Sequence, residues 1–291
     1  MIWLRPETTM MDQCILAERL SGLPLADIRY FESLGSTNDT AAAWALQGAA
    51  DVSLVIADQQ TKGRGRAGRQ WFTYPGSALA FSLVLRPSSQ EYQGLAGLIP
   101  RFTGLGALAV SQALQTQFGL QAEIKWPNDV LVRDRKLCGV LAEAHWMGDR
   151  LAVVILGIGI NIAAQAIPPK ESLHFPATSL ETELGFEVDR ITILRAVLVE
   201  ITRWRAELMD EKFLQSWEAN LAYQGDWVQL VSPSPAEGRD SVLVTGQLIG
   251  LAPDGALQLR TRSGEELAFR SGEISKPQEN FQLRLVDSSP K

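Results

Sequence analysis

Cysteine is scarce in this chain: Cys14 and Cys138 are the only two among 291 residues. A disulfide framework is thereby excluded, and the pattern suits a reducing compartment. An excess of positive charge is missing as well. Asp and Glu number 33 against 27 Lys and Arg, a formal net charge of −6, so a nucleic-acid partner, which needs cationic surface, is not expected. No apolar run approaches the length that spans a bilayer, and the N-terminus lacks the charged-then-apolar pattern of a secretory signal. No membrane partner is expected, and the chain reads as cytoplasmic. No G-x-x-x-x-G-K-[ST] occurs, so a phosphate-binding P-loop is absent. Repeats and low-complexity tracts are absent too.

Against this background one stretch stands out, Gln59-Gln60-Thr61-Lys62-Gly63-Arg64-Gly65-Arg66-Ala67-Gly68-Arg69-Gln70-Trp71. Lys62, Arg64, Arg66 and Arg69 repel one another, so a fold needs a reason to hold them together. Glycine lets a backbone approach a ligand, and arginine forks match phosphate or carboxylate oxygens. An anion that orders the loop on binding is the simplest reason; a solvated basic loop without a ligand is the plain alternative. Gly63, Gly65 and Gly68 also satisfy G-x-G-x-x-G. The next acidic residue after Trp71 is Glu91, however, and the strand, turn and ribose-binding acid of a dinucleotide site are poorly met.

The pattern of apolar residues predicts the rest. Residues 1–28 read as a short helical arm. Ser36 or Thr37 is a fair helix N-cap for a helix running to Leu46. Val52–Ala57 and Leu79–Leu85 have strand length and composition, and Leu105–Phe118 has helical spacing ended by Gly119. Glu123–Trp126, Val130–Val132, Leu137–His145 and Leu151–Leu156 read as successive strands, with Gly148-Asp149 at a hairpin tip. Ile191–Leu221 reads as a long helix broken near Met209–Lys212. After Tyr223 come short alternating strands at Trp227–Val231, Val242–Ile249, Ala256–Thr261 and Glu266–Arg270. Their turns are Ser232-Pro233-Ser234-Pro235, Pro253-Asp254-Gly255 and Ser263-Gly264. Such strands suit a small barrel, or an extension of the main sheet. The expected organisation is an extension at 1–28, a large domain at 29–225 and a small β domain at 226–291.

Further dense segments are Lys125-Trp126-Pro127-Asn128-Asp129, Lys136-Leu137-Cys138-Gly139 and Gly157-Ile158-Gly159-Ile160-Asn161. The first can be a plain turn, which explains Pro127 and Asn128 but leaves Lys125 and Asp129 unexplained. Glycine inside a strand weakens it unless something must approach closely, so Gly139, Gly157 and Gly159 mark either a ligand wall or close packing. Cys138 reads as a small core residue, not a reactive thiol.

Taken with Ser36-Thr37-Asn38 and Gln60, these blocks resemble the biotin–protein ligase family, in order and spacing from about Phe31 to Ile274. The resemblance implies an α+β fold: a class II aminoacyl-tRNA-synthetase-like mixed sheet flanked by helices, followed by an SH3-like β-barrel that Gly272-Glu273-Ile274-Ser275 would close. It implies that biotin and Mg-ATP give biotinyl-5′-adenylate, and that biotin then passes to a lysine of a biotin carboxyl carrier protein of acetyl-CoA carboxylase. Ser36, Thr37, Asn38, Gln60, Arg64, Gly65, Arg66, Lys136, Gly139 and Gly157 would face biotin. Arg66, Arg69, Trp71, Lys125, Asn128 and Asn161 would face ATP and the adenylate. Arg66, Lys136 and Asp129 would be catalytic, with Mg²⁺ carried on ATP near Asp129. His174 or Phe175 would stack on adenine. Bifunctional members carry an N-terminal DNA-binding domain, and about 28 residues before the catalytic start are too few for one. A monomer or weak homodimer is expected. The alternatives are a lipoate–protein ligase or octanoyltransferase of the same fold, a biotin-responsive transcriptional regulator, and a non-catalytic biotin-binding module.

Overall fold

A computed structural model describes residues 11–88, 91, 98–173, 175–232 and 241–277. The first ten residues of the expected arm, His174 and the Pro233–Pro235 turn lie outside the described residues. Seven strands, Ile28–Leu34 (β1), Ser53–Gln60 (β2), Ala78–Leu85 (β3), Glu123–Lys125 (β4), Asp129–Val132 (β5), Arg135–Met147 (β6) and Arg150–Asn161 (β7), form one sheet. Its order is β1-β2-β3-β7-β6-β5-β4. Only β1 and β2 run parallel; every other pair is antiparallel, so the sheet is mixed.

Period-two alternation sorts the central strands into two faces. Leu54, Ile56, Leu83, Leu85, Val154 and Leu156 join the main core, with residues of Leu98–Phe118 (α3) and Arg190–Ala206 (α5). Their neighbours Val55, Val84, Val153 and Ile155 face the other way, into a small cluster with Trp44 and Ala41 of Thr37–Leu46 (α2). Ser36 caps α2, its hydroxyl accepting from the Asp39 N–H, as its position ahead of an acid predicts. The remaining helices are Gln13–Arg19 (α1), Leu180–Leu184 (α4) and Glu211–Ala219 (α6). We number the helices in chain order. The expected break near Met209–Lys212 is the gap between α5 and α6. No described helix is long and apolar enough to cross a membrane.

Trp227–Ser232 (β8), Ser241–Leu251 (β9), Leu257–Arg260 (β10), Glu266–Phe269 (β11) and Glu273–Ser275 (β12) make a second, antiparallel sheet in the order β11-β10-β9-β8-β12. It packs directly on the first unit. The buried Trp126 donates its indole N–H to the Gly255 carbonyl at 3.2 Å, and Arg101 bridges the carbonyls of Leu208 and Pro253. Leu230, Leu257 and Ile274 belong to the same continuous core as Leu54 and Phe102. Two elements depart from the sequence expectation: β1 begins within the supposed arm, and α4 is a helix that no apolar period announces.

Candidate active site

The face of the first sheet that carries α2 is only half covered. Register places Val84, Ile155 and Glu143 in one cross-strand row, then Ser82, Gly157 and Leu141, then Ala80, Gly159, Gly139 and Asp129. The last two rows have small residues at their centre, so side chains from elsewhere can lie flat on the sheet.

Two do. A Cβ on Gly157 would sit 2.1 Å from Asn38 Oδ1, and one on Gly159 would sit 2.6 Å from Trp71 Nε1. Both glycines therefore serve close approach, by Asn38 and Trp71, and Gly139 lies beneath the edge of the same Trp71 ring. Asn38 is the centre of a buried polar network. Its Nδ2 donates to Glu143 Oε2 at 2.6 Å, and Ser82 Oγ lies 2.6 Å from its Oδ1 and 2.8 Å from Thr37 Oγ1, with one proton to give. Thr37 donates through both N–H and hydroxyl to Gln60 Oε1, and Gln60 Nε2 reaches Thr73 Oγ1. Ser36, Thr37, Asn38 and Gln60 are thus brought together as expected. Ser82, Thr73 and Glu143 complete the set. Gly157→Ala should push Asn38 out of this network at a cost of about 1–3 kcal/mol. A urea midpoint equal to that of the parent would mean that Asn38 moves aside freely.

The cationic loop is held by the protein's own acids. Arg64 forks across Glu143 at 2.8 and 2.9 Å and also reaches Asp39 at 2.6 Å; Arg69 donates from its one nitrogen Nη1 to both carboxylate oxygens of Glu273 of β12 at 2.7 and 2.8 Å. The folded chain thus supplies Arg64 and Arg69 with carboxylates that the linear sequence does not place beside them. Arg64 in particular is engaged with acids on α2 and β6, and Gly65 donates its N–H to the Arg69 carbonyl, which closes the loop on itself. Arg66 differs. Its guanidinium donates to Asn128 Oδ1 at 3.1 Å and to the Gly272 carbonyl at 3.3 Å, with no carboxylate in contact among the described residues. Burial pulls its pKa below the ordinary arginine value, and the nearby charges of Glu273 and Asp129 only partly offset this.

Next to the loop lies a cavity of about 750 Å³, lined by Arg69, Trp71, Lys125, Asp129, Lys136 and Asn161 among others, together with Gln229 and Glu273 of the second sheet and Lys276 just after it. The Lys125-to-Asp129 segment bends from β4 into β5, with Lys125 opposite Asp129 and a cis Trp126–Pro127 bond. Lys136, at the start of β6, ion-pairs with Asp129 Oδ1 at 2.7 Å, and Asn128 Nδ2 donates to the same oxygen at 3.0 Å. Asp129 is therefore engaged by Lys136, a pairing that the separate roles read from sequence do not foresee.

Lys125 is buried, and its ammonium lies 4.2 Å from the centre of the Phe175 ring; among the described residues it makes no hydrogen bond or ion pair. Desolvation lowers its pKa from the usual lysine value, with Asp129 pulling the other way. A buried cation without an anion in contact is costly, and a negative guest in the cavity would offset that cost. Phe175 lines it, one face already covered by Lys125. Asn161 donates to the Thr178 carbonyl at 3.0 Å. Cys138 is fully buried, its thiol pushed up by desolvation, in line with a core role. Among the described residues no three His, Cys, Asp or Glu side chains gather as a metal cluster. Asp129 Oδ2, free of the contacts that Oδ1 makes, can offer one oxygen to a cation whose other ligands come with a phosphate chain.

The chain is similar to proteins of known function. A family model described as Biotin/lipoate A/B protein ligase family matches residues 30–161. The bifunctional ligase/repressor BirA of Bacillus subtilis is 32% identical over 81% of this chain and 70% of its own length. The biotin–[acetyl-CoA-carboxylase] ligase of Paracoccus denitrificans is 34% identical over 76% of this chain and 89% of its own. Among solved structures, a biotin protein ligase from Aquifex aeolicus in complex with biotin and ATP is 29% identical with a TM-score of 0.70, covering 86% of this chain and 98% of that one.

Proposed function

The chain belongs to the biotin/lipoate A/B protein ligase family, and from that premise we propose how its sheet face and cavity divide the work of an ATP-dependent biotin ligase. The enzyme joins biotin to the carboxyl carrier protein of acetyl-CoA carboxylase, using ATP. The observation that carries the division of labour is the contrast between two adjoining compartments. Over Gly157 the groups are mostly neutral donors and acceptors, Thr37, Asn38, Gln60 and Ser82, and the one carboxylate among them, Glu143, is bound by Asn38 and paired with Arg64. Over Asp129 they are cations, Lys125, Lys136, Arg66 and Arg69.

A ureido ring needs neutral hydrogen-bonding partners, and a carboxylate meeting a triphosphate needs positive charge. Two unit anions 4 Å apart at an effective dielectric of 20 repel by about 4 kcal/mol. Lys136, beside the junction of the compartments, is assigned to the biotin carboxylate and the α-phosphate. Lys125 and Arg69 are assigned to the phosphate chain, with Arg69 exchanging Glu273 for phosphate oxygens. One biotin carboxylate oxygen bonds to the α-phosphorus as the bond from that phosphorus to the bridging oxygen breaks, and pyrophosphate leaves. The acceptor lysine, as free amine, then attacks the acyl carbon, AMP departs and the nitrogen loses a proton. Arg66, which ties the loop to Asn128 and to β12, covers the adenylate between steps and keeps water away. Asp129 Oδ2 would help hold a Mg²⁺ carried on ATP, and such an ion would supply positive charge against the phosphates. Trp71 lies along the acyl chain, and Phe175 takes adenine on its free side.

The mixed sheet is further assigned to the class II aminoacyl-tRNA-synthetase-like group, and the second sheet to an SH3-like barrel. Support comes from the five short antiparallel strands and from Glu273 and Gly272 closing on the arginine loop. Biotin-dependent exchange of labelled pyrophosphate into ATP tests the assignment of substrates, with lipoate and octanoate as controls. Exchange with biotin alone is expected; equal exchange with lipoate would move the enzyme to the lipoate branch of the family.

A further inference from the structure

We propose that Glu183 is a positioning residue for Lys136, an inference that rests on the assignment of Lys136 to adenylation. Lys136 follows a tight turn in which Arg133 (φ 51°) and Asp134 (φ 58°) are both left-handed. Non-glycine side chains disfavour that region, and arginine more than aspartate. The two residues form the tight hairpin turn between β5 and β6, whose twist suits the strands but whose non-glycine side chains leave strain for the surroundings to offset.

Glu183, on α4 some fifty residues later, does so. Its side chain is wholly buried. Arg135 Nη2 donates to Oε1 at 2.7 Å, Thr178 Oγ1 donates to the same oxygen, and Arg133 Nη1 lies 3.3 Å from Oε2. The two arginines that flank Asp134 are thus drawn to one carboxylate. Asp134 itself pairs with Lys276 at 3.1 Å, so the turn is gripped from both sides.

Thr178 extends the grip to the backbone of Lys136. The Lys136 N–H donates to the Pro176 carbonyl at 2.7 Å, and the Thr178 N–H donates to the Lys136 carbonyl at 2.9 Å. The Thr178 carbonyl accepts from Asn161, which lines the cavity, and Phe175 and Ala177 on the same strip are part of its wall. A single carboxylate therefore fixes the strand start that carries Lys136 and the strip beside it. Stability alone is a poor reason for such a group, since an apolar replacement of a buried ion pair is often neutral or better. Position is the better reason. Oε2 accepts no hydrogen bond among the described residues, so its role toward Arg133 is electrostatic and a neutral amide cannot take it over.

The test uses the full chain with Glu183→Gln and, as the milder probe, Thr178→Val, which keeps the volume and removes only the hydroxyl. Biotin-dependent pyrophosphate exchange is measured per active site, sites being counted by the adenylate formed in a single turnover. Misplacing a catalytic group by about 1 Å costs roughly a hundredfold, so Glu183→Gln should lower kcat per site by about ten- to a hundredfold. Thr178→Val should lower it by at least threefold, and KM for biotin should stay within about threefold of the parent in both. A merely structural role would reduce the number of competent sites and the melting temperature while leaving the rate per site intact. Rates per site within threefold of the parent in Thr178→Val, and in Glu183→Gln where it folds, would overturn the proposal. Absence of exchange in the unmodified protein would instead overturn the substrate assignment, and the proposal with it.

Discussion

Lys136→Ala is expected to lower biotin-dependent pyrophosphate exchange by roughly a hundred- to a thousandfold, the range seen when one fixed donor to a developing negative charge is removed. The ammonium is held 2.7 Å from Asp129 Oδ1 at the inner end of the cavity, so its position is set before substrates arrive and no reorganisation is needed as charge develops. Alanine also leaves Asp129 beside Asn128 without its cation. The pair is only part-buried, and loss of a charge-assisted hydrogen bond of this kind costs about 1.5–3 kcal/mol, so the melting temperature should fall by several degrees. Lys136→Arg keeps the charge but replaces a compact point donor with a planar fork, and should recover stability more than rate. Exchange in Lys136→Ala within tenfold of the parent, at saturating biotin and ATP, would remove Lys136 from the chemistry.

The second large effect concerns retention. Arg66→Gly should leave adenylate formation within about tenfold of the parent but raise escape of biotinyl-adenylate about ten- to a hundredfold, the loss that follows removal of one or two hydrogen bonds from a charged donor. Among the described residues the partners of Arg66 are oxygens of an amide and a carbonyl, where Arg64 and Arg69 meet carboxylates, and they come from opposite sides, Asn128 beside β5 of the first sheet and Gly272 just before β12 of the second. Arg64 and Arg69 would keep their own carboxylates, so the loop would stay tethered at both ends and slacken in the middle. The observable is biotin on the lysines of a bystander protein such as serum albumin, mixed with enzyme, biotin and ATP. Adenylate production without bystander labelling would show that Arg66 does not retain the intermediate.

Much of this centre is legible in the sequence because its cations and glycines are dense and local. The arginine loop, Lys125 to Asp129, and Lys136 are each contiguous, and short segments carry their own turn chemistry. Strands β2, β3, β6 and β7 are long apolar runs and read as such. What stays hidden is what tertiary pairing decides. Glu143, Asp39 and Glu273 are ordinary surface-type acids in sequence, yet each sits on an arginine of the loop. Ser82 lies inside a wholly apolar strand and becomes a site residue only because register sets it opposite Gly157. Strand β1 mixes Arg29 and Glu32 among its apolar residues because it is an edge strand with one covered side, and that dilutes its period. Glu183 belongs to a five-residue helix too short to show a period of its own. Glycine is the instructive case: Gly157 and Gly159 are correctly marked as places of close approach, but the approaching groups are Asn38 and Trp71.

The bond between Arg69 and Glu273 joins residues 204 positions apart. A ribosome adding about 5–20 residues each second needs roughly 10–40 s to cover that distance. Throughout that interval the arginine segment exists as nascent chain while the acid that will neutralise Arg69 has yet to be made. The growing polypeptide therefore passes through a period in which Arg69 lacks its native carboxylate, and the synthesis of β12 is what ends it.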